Sequence, residues 1–168
     1  MMTSSIPLMV MIMTTVTAQP TEPPPGRDIT EIVGHWAYDG FFYEGQRYPK
    51  PNPDLNLIFT FNRDGSHRLF WERRNEGVFC ERKGEYVLAN AHLTQRVTWV
   101  NPENHFSCAQ DPDMHMGREV TNKIDVRTSP SGQKELGIHL DLDGKPFIYI
   151  LVRVPSLSAA WNFTRLHW

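Results

Sequence analysis

Apolar and polar side chains alternate with a period of two along most of the chain, in short bursts separated by turn residues. Successive side chains of a strand point to opposite faces, so this is the pattern of half-buried strands. Trp36, Tyr38, Gly40 and Phe42 fall on one side of a first strand. Pro49, Pro51 and Pro53 then enforce a loop, because proline cannot donate to a central ladder. Leu55, Leu57, Phe59 and Phe61 alternate with Asn56, Ile58 and Thr60, and Asn62-Arg63-Asp64-Gly65 turns the chain into a return strand over 66–73. A further strand is expected around 78–82, and another from Gly84. Asn90-Ala91 makes a tight turn into 92–100, where Leu93, Gln95, Val97 and Trp99 share a face. Alternation resumes over 118–127 and turns at Ser129-Pro130-Ser131-Gly132. Leu136, Ile138, Leu140 and Leu142 then oppose Gly137, His139, Asp141 and Asp143, and Asp143-Gly144 leads into 147–154. The pattern predicts an all-β domain over residues 30–155, with eight or nine strands, short links and no long helix.

Four segments break the alternation. Residues 1–18 carry no charged side chain, hold five of the seven methionines and centre on Leu8-Met9-Val10-Met11-Ile12-Met13. They end in Val16-Thr17-Ala18, the small residues a signal peptidase reads, so this stretch is expected to be a signal peptide. Residues 19–29 form a proline-rich linker, and residues 156–168 a C-terminal tail with two tryptophans. The segment 101–117 is polar, turn-rich and too long for a routine connection, which marks it as a functional or stapled loop.

Net charge is −2 with both signs interspersed, so no basic face for nucleic acid is expected. No apolar run reaches the roughly 18 residues of a membrane span. Cys80 and Cys108 are the only cysteines. In an oxidising compartment such a pair is expected to bridge, the alternative being two buried thiols. Leader and cysteines together predict a secreted or periplasmic protein.

Gly34-x-Trp36 at the start of the first strand, the Phe61-x-x-Asp64-Gly65 hairpin, the Gly84-x-Tyr86 step and the closing Tyr149-x-x-x-Arg153 resemble the lipocalin-like barrels of the calycin superfamily. The resemblance spans about 32–154. The chain shows no clear Thr-Asp-Tyr motif of the kind many lipocalins carry, so it resembles an outlying bacterial-type member. The resemblance implies an eight-stranded up-and-down antiparallel barrel. It also implies that Trp36 plugs one end with Arg153 packed over its ring, a cation–π contact.

An eight-stranded barrel has room for packed side chains or one small ligand. Tyr38, Phe42, Phe59, Trp71, Tyr86, Trp99 and Tyr149 are the candidate ligand-binding residues, because aromatic rings with polar tips suit the wall of an apolar pocket. The expected function is an exported carrier of a small hydrophobic or amphipathic molecule. The alternative is a filled barrel acting as an interaction module or in the manner of a protease inhibitor, with the 101–117 loop contacting a protein partner. Asp111-Pro112-Asp113-Met114-His115 gathers oxygen ligands but departs from the calcium-loop pattern, so an Asp-Pro turn is the expected reading. No metal site, cofactor motif or catalytic signature is read from the sequence, and no enzymatic activity is expected.

Overall fold

The alternating segments pair in chain order. A computed structural model describes residues 31–142 and 144–155. Its strands are β1 (Gly34–Tyr43), β2 (Gln46–Pro49), β3 (Leu55–Phe61), β4 (Ser66–Arg73), β5 (Val78–Ala89), β6 (His92–Val100), β7 (Glu119–Thr128), β8 (Lys134–Leu142) and β9 (Lys145–Val154). Every neighbouring pair is antiparallel, and β9 returns to pair with β1 from His35↔Val154 to Tyr43↔Phe147. β1 and β3 to β9 thus close the expected eight-stranded barrel. Closure removes the exposed edges an open sheet would present. The short β2, not anticipated from the sequence, extends the edge of β1 beyond its pairing with β3. The segments expected at 78–82 and from Gly84 are one continuous strand, β5, whose inward side carries Val78, Cys80, Arg82, Gly84 and Tyr86. The signal peptide, the linker and the C-terminal tail expected at 1–18, 19–29 and 156–168 lie outside the described residues. Among the described residues, no helix is long and apolar enough to cross a membrane.

One end of the barrel is packed solid. Ile32, Trp36, Phe61, Tyr86, Leu93, Ile124 and Leu136 form its core. Trp36 is fully buried and its Nε1 donates to the Ile32 carbonyl at 2.7 Å. The Arg153 guanidinium lies 5.5 Å from the Trp36 ring centroid and donates to the Val33 carbonyl at 2.6 Å. Position 34 favours glycine because its φ is +136°, and a Cβ there would also press against Arg153 Nη2 at 3.1 Å. The Gly-x-Trp step is therefore a steric fit to the arginine as well as a turn into the strand.

Two β-bulges redirect the alternation. In β1 the register against β9 slips between Tyr38 and Gly40, leaving Asp39 as the extra residue. In β6 the partners of Gly84 and Lys83 are Val97 and Trp99, so Thr98 is the extra residue. A bulge adds one residue to one strand and so inverts the facing of every later side chain in it.

Candidate ligand-binding cavity

Beyond the packed end the barrel is hollow. A cavity of about 230 Å³ lies above the core, walled by all eight barrel strands and covered by residues of the 101–117 segment. Its apolar wall comprises Leu57, Phe59, Leu69, Trp71, Val120, Ile138, Leu140 and Leu151. Tyr38 and Tyr149, on the paired strands β1 and β9, meet edge to face on its wall with centroids 5.1 Å apart. Burial pushes both phenols above their usual range, so both hydroxyls stay protonated.

Of the seven aromatic residues expected on the wall, Tyr38, Phe59, Trp71 and Tyr149 line this cavity. Tyr86 sits deeper, in the packed core, where its hydroxyl donates to the Asn62 carbonyl at 2.7 Å and its ring meets Phe61. Phe42 and Trp99 face outward instead, each because it lies beyond a bulge. The bulge at Asp39 gives the inner side to Phe41 and Tyr43, opposite Tyr149 and Phe147. Phe42 is left on the outer surface between the guanidinium groups of Arg127 and Arg47, at 5.0 and 5.9 Å. Both arginines pair with Glu135, at 2.9 and 2.8 Å, so the outer aromatic is framed by an ion network. The bulge at Thr98 turns Trp99 outward in the same way, with Lys83 Nζ 4.5 Å from its ring. The rings brought inward extend the cavity's aromatic wall toward the rim, from Tyr149 through Phe147 and Phe41 to Tyr48.

The cover is built by the 101–117 segment. Cys108 is joined to Cys80 of β5 with their Cα atoms 5.8 Å apart. Two short 3-10 turns, Phe106–Gln110 and Pro112–Met114, fold over the barrel mouth. Met114 and both half-cystines pack into a cluster with Leu69, against Leu57, Phe59 and Trp71. Asp111 caps the second turn by accepting from the Asp113 N–H at 2.9 Å. That is the Asp-Pro turn expected from the sequence, and its two carboxylates also reach the cavity wall.

The polar side of the cavity is absent from the residues expected on the wall. Arg82, Gln95, Asn122 and Arg118 line it together with Asp111 and Asp113. Arg82 is 4% exposed and Gln95 3%. Arg82 Nε and Gln95 Nε2 are buried without a hydrogen-bond partner. Burial pulls the Arg82 guanidinium below the usual arginine range, against the opposing pull of Asp113 and Asp111. It remains a cation, since arginine keeps its proton in proteins. Both residues had a signal. Gln95 is the polar member of the face it shares with Leu93 and Val97, and Arg82 has the parity of Cys80 and Tyr86.

Two solved structures resemble this chain in fold. One is a lipocalin-like protein from Bacteroides uniformis ATCC 8492, 18% identical, covering 74% of this chain and 99% of that one with a TM-score of 0.48. The other is an uncharacterized protein from Bacteroides eggerthii DSM 20697, 17% identical, covering 73% and 98% with a TM-score of 0.43. No protein-family model matches the chain. No curated protein matches it either. What the cavity can do therefore rests on its own residues.

Proposed function

We propose that this protein is an exported carrier that binds a small amphipathic molecule inside the barrel. The observation that carries the reading is the division of the cavity wall. Leu57, Phe59, Trp71, Ile138 and Leu140 offer apolar surface, while Arg82, Gln95 and Asn122 offer polar groups on β5, β6 and β7, the strands between β4 and β8. A ligand with an apolar body and a polar end satisfies both sides at once. Ligand pockets commonly run about 300–1,000 Å³, so this one suits a small molecule. The disulfide fits an oxidising compartment, and with the leader-like residues 1–18 it supports export.

Native mass spectrometry of protein purified from its host tests the carrier reading. An added mass that is lost on denaturation, and that rebinds to the emptied protein, is the expected result. An empty protein that takes up no amphipathic molecule would overturn it.

A second reading is favoured by the outer side of the cover. Phe106 and Met116 are 76% and 61% exposed. Exposed apolar groups on a loop are a common contact for a protein partner, and a cover that docks to one would couple the cavity to it. On this reading, Phe106→Ser with Met116→Ser weakens partner binding and leaves ligand uptake unchanged in a pull-down run beside a ligand titration. Unchanged partner binding would remove it.

A further inference from the structure

Resting on the barrel interior being a ligand site, we infer that the polar end of the ligand is a monoanion, of the carboxylate class, held by Arg82 with Gln95. Two nitrogen atoms on the cavity wall, Arg82 Nε and Gln95 Nε2, are buried and unpartnered. Both are donors, so what completes the wall is an acceptor. A buried cation left without a close counter-charge costs several kcal/mol, whereas a buried polar group with its partner in place does not.

The carboxylates nearest to Arg82 do not fill that role. Asp113 and Asp111 act on it through space, but neither forms an ion pair with it within the described residues. Asp113 pairs with Arg118 at 3.5 Å, and an Asp111 oxygen is engaged by the Asp113 N–H. Their charges reduce the cost of keeping Arg82 in the barrel and leave its fork of N–H groups open. A planar guanidinium matches the two oxygens of a carboxylate, and charge-assisted bonds of this kind are the strong ones. A neutral hydroxyl would answer one donor and leave the charge. The apolar wall of Leu57, Phe59 and Trp71 lies within the same cavity, so the bound molecule carries its anion at one end of an apolar body.

A matched pair of probes tests this: octanoate and octanol, titrated by calorimetry into the oxidised full chain. Octanoate is expected to bind at least about tenfold more tightly, the effect of one well-placed charge pair. Arg82→Met should lower octanoate affinity by about tenfold or more and octanol affinity by much less, so that the preference for the anion is lost. Replacing a buried unpaired charge by an apolar chain of similar volume is compatible with the fold, and the wild-type comparison needs no variant. Gln95→Leu should weaken octanoate more than octanol. Octanol bound as tightly as octanoate would overturn the anion and leave the carrier reading standing. Octanoate bound equally by Arg82→Met would also overturn the anion. Failure of both probes to bind would overturn the two readings together.

Discussion

Single side chains set the chemistry of the two ends of this barrel. Gly84 has no room to change: a Cβ there would collide with the Arg96 carbonyl and come within 2.6 Å of His67 Nε2. Gly84→Ala should therefore destabilise the protein by about 2 kcal/mol or more in urea denaturation. A stable variant would mean that the bulge opposite can relax. His67 lies 2% exposed beside Phe61, and burial, with the Arg82 charge, lowers its pKa to about 4. The unfolded chain takes up this proton near the ordinary value of about 6.5, the folded chain only near 4. Stability is thus unaffected above that range and falls as pH drops through it, by up to about 3 kcal/mol for this group. Denaturation midpoints at about pH 7 and about pH 5 should differ clearly for wild type and much less for His67→Gln. Equal pH dependence of the two proteins would assign the effect elsewhere. The Gly34, Trp36 and Arg153 cluster was legible through the resemblance of Gly34-x-Trp36 and Tyr149-x-x-x-Arg153 to the lipocalin-like pattern, and residue type alone would not have paired them. Arg82 was legible only in principle. A charged side chain says nothing about facing until the strand that carries it has been drawn whole.

At the scale of elements, periodicity of two found seven of the nine strands near their observed bounds, missed β2 and divided β5. It failed where periodicity itself fails. Asp39 and Thr98 are extra residues that invert the facing of the rest of their strands, and no change of composition announces them. Gly40 is a partial signal, since a glycine within a strand often marks a bulge or a close approach. Here it marks both, its missing Cβ making room for the Tyr48 carbonyl. The cover over the cavity depends on the bridge between Cys80 and Cys108, which are 28 residues apart in sequence. Loop-closure entropy for a bridge of that span is about 3–4 kcal/mol. Reduction should lower the melting temperature accordingly. It should also speed amide exchange over 105–114 more than in the β3–β4 hairpin. Uniform acceleration would show that the bridge steadies the whole barrel and not the cover in particular.

For the whole molecule, the central question is whether the interior is a site or only a gap in packing. The chain's pattern made an eight-stranded barrel legible but left hollow and filled interiors open, because facing alone does not fix how far side chains reach across the axis. The structure resolves this by length: large residues fill one end around Trp36, Phe61 and Tyr86, while the other holds about 230 Å³ walled in part by Trp71. The bulge at Thr98 supplies a built-in control, since Trp71 faces the cavity and Trp99 the outer surface. The most direct measurement is a tryptophan fluorescence titration with octanoate on wild type, Trp71→Phe and Trp99→Phe. A site inside the barrel predicts a saturable change that survives in Trp99→Phe and is lost or sharply reduced in Trp71→Phe. A change that persists in Trp71→Phe and disappears in Trp99→Phe would place binding on the outer face and contradict the account.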